Sequence, residues 1–218
     1  MKKQTIALIG GVGLILAFVI GAYVYKSKRT EETKSMVKEK ASPLNRPYSH
    51  SLGPADAKVV IVEFFDPGCE TCRVFAGHIK NLVTVHKGKI RLVLRYTPFH
   101  KGADTMVKIL EAAALQGKYW ETLQVMFDKQ PQWASHHHPQ PEKIWQFLPE
   151  AGVDISRIKA DMNDPKFAAL IKQDLADAKT LGVRKTPEFF VNGKPLPRFG
   201  LAHLKALVQA ELAANYPR

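Results

Sequence analysis

Hydrophobic and polar positions fall in distinct blocks along the chain. Thr5 to Tyr25 carries no charge, a run long enough to cross a bilayer core of about 30 Å as a helix. Residues 26–51 lose any steady apolar period and are expected to form a polar tether. Val59 to Phe65 is a β-branched and aromatic run with one acid, Glu63, inside it, and reads as a strand that ends at Asp66-Pro67-Gly68. Phe75, Ile79, Leu82 and Val83 then mark one face of a helix stopped by Lys87-Gly88-Lys89. Ile90 to Tyr96 alternates as a second strand, broken by Pro98. Strand, helix and strand make a βαβ unit, whose right-handed crossover leaves the strands parallel.

Helical periods dominate the middle of the chain. Met106, Ile109, Leu110 and Ala113 form one apolar stripe, Trp120, Leu123 and Phe127 a second, and Ile144, Trp145 and Leu148 a short third. Asp154 is placed to cap a helix over 155–162, and Asp164-Pro165 to start one that stops at Gly182. Phe189 to Val191 reads as a strand, and Asn192-Gly193 as a hairpin turn into a partner strand over Leu196 to Phe199. Gly200 opens a last helix with its stripe on Leu204, Leu207, Val208 and Leu212. The predicted order is βαβ, a helical block, a β-hairpin and a helix.

Charge changes this picture little. The net charge is +12, but Lys80, Lys87, Lys89, Arg91, Arg95 and Lys108 are scattered, with no Arg-rich or aromatic-interleaved block. Nucleic acid is therefore not an expected partner; anionic lipid, acidic partners and plain solubility account for the surplus. His136-His137-His138 is read as a solvated loop and no metal is expected there, because consecutive residues rarely converge on one ion.

Cysteine changes it a great deal. The chain has two cysteines, Cys69 and Cys72, at C-x-x-C spacing directly after the first strand. A structural disulfide framework or a zinc site needs more ligands than this. A pair at a strand-to-helix junction suits a disulfide that opens and closes. Cys69 would face the unsatisfied N–H groups and positive dipole end of the helix, which favour a thiolate, and is expected to be the nucleophile. Cys72, one turn further in, is expected to be shielded and to resolve the mixed disulfide.

Beyond that pair, Leu52-Gly-Pro-Ala-Asp-Ala-Lys-Val-Val-Ile-Val-Glu-Phe-Phe, the glutamate six residues before Cys69, the helical insertion and Thr186-Pro-Glu-Phe-Phe-Val-Asn-Gly193 together resemble the DsbA-like branch of the thioredoxin superfamily. The resemblance runs from about Leu52 to the C-terminus. It implies a thioredoxin fold over residues 52–100 and 182–218 with a helical domain inserted over 101–181. It also implies that Pro187 is the cis-proline beside the cysteines, and that Thr186 contacts substrate and tunes the disulfide. Glu63 would be the buried acid that relays the proton of the inner thiol; the alternative is an outward-facing strand residue. Such oxidases usually carry an aromatic before the first cysteine and Pro-His within the motif. Here Asp66-Pro-Gly precedes it and Glu70-Thr71 fills it. Asp66 and Glu70 are expected to oppose the Cys69 thiolate, and Glu70 and Thr71 to tune the couple.

The expected protein is a single-pass bacterial inner-membrane thiol-disulfide oxidoreductase of the α/β class. Residues 1–4 would be cytoplasmic, 5–25 an anchor in preference to a cleaved signal, and the catalytic domain in the periplasm or outside the cell. It would need no cofactor, would act on protein thiols or disulfides, and would be reset by a membrane redox partner. Two alternatives stay open: a dedicated reductase for cytochrome maturation or thiol rescue, and a non-enzymatic chaperone or metal-handling module that uses the cysteines as ligands.

Overall fold

A computed structural model describes residues 20–25, 27, 43–135 and 138–217. The chain divides into Met1–Ser42 and Pro43–Arg218, and the sheet and its helices belong to the second unit. The expected anchor over 5–25 lies outside the described residues except for 20–25, which are helical and exposed. Among the described residues no helix is long and apolar enough to cross a membrane. His136 and His137 also lie outside them.

Five strands form one sheet in the order β1-β3-β2-β4-β5. They are β1 (Ser51–Leu52), β2 (Val59–Phe65), β3 (Ile90–Tyr96), β4 (Glu188–Val191) and β5 (Lys194–Pro195). β2 and β3 run parallel with Val59 opposite Ile90 and Phe65 opposite Tyr96, joined by helix α1 (Glu70–Val85). β4 lies antiparallel on the other side of β2, with Glu63 opposite Phe189. Both central strands are largely buried on both faces, which is why β2 is a nearly unbroken apolar run, whereas β3 carries two arginines, Arg91 half-buried and Arg95 fully buried.

The two faces have different covers. Val59, Ile61, Glu63 and Phe65 of β2 share one face with Leu92, Leu94 and Tyr96. There they meet Phe75, Ile79 and Leu82 of α1, and Leu204, Val208 and Leu212 of α7 (Leu201–Asn215). Helices α2 (Ala103–Ala114) and α3 (Tyr119–Asp128) close the same core through Met106, Leu110, Leu123 and Phe127. The insertion continues with α4 (Gln130–Trp133), α5 (Ile155–Asp161) and α6 (Pro165–Thr180). Val62, Phe64, Val93 and Phe190 face the other way, against Ala178, Val183 and Leu44.

The helices inserted over residues 101–181 share the sheet's core. Three expectations need correction. The tether does not reach residue 51: Leu44 is buried, Arg46 makes two bonds to Asp177 of 2.8 and 2.7 Å, and β1 pairs antiparallel with β3. These polar contacts have no period, so sequence pattern could not see them. The strand expected over 196–199 is absent, because pairing ends at the Leu196 N–H to Phe189 carbonyl bond and Pro197 has no N–H to continue it. The stripe at Ile144 to Leu148 forms two short 3₁₀ turns, Pro141–Gln146 and Leu148–Ala151, each with a proline in its first two positions.

A buried ion network ties these layers together. Arg95 of β3 is fully buried and donates to Asp174 (2.6 and 3.1 Å) and Asp177 (2.6 Å) of α6 and to the Pro43 carbonyl. Asp174 also accepts from the Tyr96 N–H and the Tyr48 hydroxyl. Asp174→Ala leaves the buried guanidinium with Asp177 as its one carboxylate and orphans the Tyr96 N–H and the Tyr48 hydroxyl, and is expected to cost about 3 kcal/mol. A denaturant titration reads that loss as a lower midpoint with an unchanged slope.

Candidate active site at the start of α1

The site begins where β2 ends. Cys69 is the N-cap of α1, in extended conformation, and Cys72 lies one turn in. Both are free and both are buried: Cys69 keeps 6 % of its surface and Cys72 none. The order of shielding matches the expected one, but the outer sulfur is far less open than expected. The Thr186–Pro187 peptide is cis. Its loop brings the Thr186 carbonyl oxygen within 3.3 Å of Cys69 Sγ, where the thiol donates to it. The structure thus brings Cys69, Cys72, Thr186 and Pro187 together, with Thr71 between the two cysteines in the chain. Glu70 sits exposed on the first turn of α1.

The electrostatics separate the two sulfurs. Cys69 is pulled down to about 5. The largest cause is a hydrogen bond from the Cys72 side chain, working against burial, with the Thr186 side chain and the backbone N–H groups of Cys72 and Thr71 adding to it. The bond to the Thr186 carbonyl favours the thiol and disappears with the proton. Burial pushes Cys72 well above its ordinary value, and its own bond to Cys69 and the Glu63 charge push the same way. Neither Asp66 nor Glu70, the two carboxylates expected to oppose the thiolate, is among the main causes acting on Cys69, and Asp66 is engaged elsewhere. The fully buried Asp66 carboxylate accepts from the Gly68 N–H (2.7 Å), the Phe99 N–H (2.6 Å) and the His100 N–H (2.8 Å), and pairs with His100 Nδ1 at 2.8 Å. It clasps the active-site turn to the loop after β3.

Glu63 lies on the face of β2 that looks toward α1 and is 4 % exposed; it does not face outward. Burial raises it to about 8, with the Cys69 charge adding to the effect. Sequence reasoning missed a second clasp. Gln130, 1 % exposed on α4, donates to the Pro67 carbonyl (2.8 Å) and the Cys69 carbonyl (3.0 Å) and accepts from Arg73 Nε (3.0 Å). A glutamine before a proline in a polar stretch carries no periodic signal. Among the described residues no cluster suited to a metal ion occurs.

Comparisons with known proteins fit this geometry. A family model described as thioredoxin matches residues 45–210. The fold superposes on a thioredoxin-like oxidoreductase from Silicibacter pomeroyi with a TM-score of 0.67 at 27 % identity, over 81 % of this chain and 97 % of that one. The thiol-disulfide exchange protein alpha-DsbA2 from Wolbachia pipientis superposes with a TM-score of 0.68 at 21 % identity, over 84 % and 97 %. BdbD from Bacillus subtilis does so with 0.65 at 23 %, over 75 % and 92 %. A curated relative, the Na(+)/H(+) antiporter NhaA of Herminiimonas arsenicoxydans, is 29 % identical over 198 residues, covering 89 % of this chain and 31 % of that protein. The chain spans about a third of the length of the curated relatives it matches.

Two measurements test the electrostatics. Thiolate absorbance of the reduced protein is expected to titrate near pH 5, and Cys72→Ala, which removes the main donor, to raise that midpoint by about one unit or more. Glu63 keeps its proton up to about 8 in the folded chain against an ordinary value of 4.5. The folded state therefore holds the extra proton, and this residue's contribution lowers stability as pH rises between those values. Glu63→Gln should remove that loss and be more stable than the parent at pH 8 by roughly a few kcal/mol at most. Equal denaturation midpoints at pH 8 would place the carboxyl in solvent.

Proposed function

Because the chain belongs to the thioredoxin family and has DsbA-like thiol-disulfide oxidoreductases as structural neighbours, we propose that it exchanges disulfides with protein substrates through Cys69 and Cys72, in the oxidising direction. The observation that carries this reading is the split between the two sulfurs: an outer thiol pulled down to about 5 and an inner one pushed far up. A low outer value stabilises the reduced pair, which makes the disulfide the better oxidant. It also makes Cys69 the better leaving group.

In this reading a substrate thiolate attacks Cys69 Sγ of the disulfide. The S–S bond breaks, a mixed disulfide forms, and Cys72 leaves with the electron pair and takes up a proton. Glu63, beneath the pair, supplies that proton and regains one from water. A second substrate thiolate then attacks the substrate sulfur of the mixed disulfide and releases Cys69 as a thiolate. Two electrons pass from the substrate dithiol to the cysteine pair, and no cofactor takes part. Thr186 lines the peptide's approach, Pro187 packs beside the sulfurs, and the backbone N–H of Thr71 holds the thiolate. Glu70 places a charge on the rim.

A redox partner must reoxidise the pair. We place the catalytic unit outside the cytoplasm, held at the inner membrane by the uncharged run over 5–25, with the resetting partner in that membrane. Support comes from the length of that run and from the persistence of disulfides in such compartments.

The test is oxidation of a dithiol peptide with glutathione disulfide as terminal oxidant. The parent should turn over, Cys69→Ser should lose turnover entirely, and Cys72→Ser should accumulate a mixed disulfide at Cys69. Turnover that survives Cys69→Ser contradicts the assignment.

A further inference from the structure

Between α1, α3 and the sheet lies a cavity of about 450 Å³, of whose lining the proposed exchange chemistry uses Glu63 alone. Its walls are Phe65, Leu92, Leu94, Trp120, Leu123 and Phe127, and Glu63 is its one deeply buried polar side chain. That carboxyl makes no hydrogen bond to another described residue. Size and lining match sites that hold small molecules, apolar walls with a single convergent polar group. Gly77 supplies the second observation. It sits mid-helix in α1 on the cavity wall, where glycine is less favourable to the helix than alanine. Its backbone does not require glycine, since it is not among the positive-φ residues. Packing does not require it either: a Cβ there would meet nothing within 4 Å. Its missing side chain leaves open space on the α1 side of the cavity.

We propose that this cavity binds a small apolar molecule whose one polar group is a neutral hydrogen-bond acceptor, such as a ketone or quinone carbonyl, directed at Glu63. A protonated carboxyl in apolar surroundings offers one O–H donor and rejects a second anion. Arg73 and Lys80 stand on the α1 side of the same cavity and Asp128 on the α3 side, so the charges are at the rim and the interior is left to an uncharged body. Occupancy would bear on exchange only through Glu63, and that consequence rests on the function proposed above. Binding does not.

The probe is 2-acetylnaphthalene, titrated into the full chain and followed by quenching of Trp120 and by shifts of the Leu92, Leu94 and Leu123 methyl signals. One saturable site is expected. Gly77→Leu, which puts a side chain in the mouth, should weaken binding at least tenfold, as should Leu123→Trp, which fills the interior. Glu63→Gln keeps a donor and should stay within about twofold of the parent, whereas Glu63→Leu should lose fivefold or more. Cys69→Ser should bind as the parent does, which separates this site from the redox reading. Absence of saturable binding, or affinity unchanged in both filling variants, overturns the proposal. Displacement of the probe by equimolar N-acetylphenylalanine amide also overturns it, in favour of a partner protein's side chain.

Discussion

A sulfur that keeps 6 % of its surface can hold charge only when donors are fixed around it. At Cys69 the main donor is the thiol of Cys72, one helical turn away, and the Thr186 side chain and the backbone N–H groups of Cys72 and Thr71 add to it. This shared proton is the constraint on which the rest of the site depends. It requires that α1 start at residue 69 or 70, that the turn before it be rigid, and that the 186–187 loop close over it. Asp66 and Gln130 provide the rigidity from two sides. The carboxylate gathers the N–H groups of Gly68, Phe99 and His100, and the amide holds the carbonyls of Pro67 and Cys69.

The helical insertion has a structural role in this that its sequence does not advertise. Gln130 reaches the active-site turn from α4, while Asp174 and Asp177 of α6 neutralise Arg95 at the far face of the sheet. Insertion and sheet therefore share both a hydrophobic core and two polar anchor points. The N-terminal stretch from Pro43 joins the same network through Arg46 and Tyr48.

Apolar period made the scaffold legible. The two parallel strands, α1, α2, α3 and the last helix stand where Val59–Phe65, Ile90–Tyr96 and the stripes placed them, because tertiary burial follows those periods. The cysteine pair was legible from spacing, and the 186–187 loop and Glu63 from resemblance. What was not legible is polar and long-range. Asp66 looked like a charge opposing Cys69, and only its four contacts, three of them with residues 99 and 100, show where the carboxylate is spent. Gln130, Arg46 and Tyr48 act across 57 or more positions of sequence, a separation at which one chain offers no pattern. The second strand of the hairpin lies at Lys194–Pro195 and not over 196–199, because Pro195 and Pro197 limit pairing.

Everything at the site turns on whether the protein stabilises its reduced pair, and the reduction potential of Cys69–Cys72 against a glutathione buffer measures that directly. A low thiolate value lowers the free energy of the reduced form, and about 30 mV corresponds to 1.4 kcal/mol for this two-electron couple. The expected potential lies between the reducing end of thioredoxin-type pairs, about −270 mV, and the oxidising end, about −120 mV. A value at or below about −270 mV would mean that the donors around Cys69 do not favour the thiolate, and would contradict both the electrostatic argument and the oxidising direction.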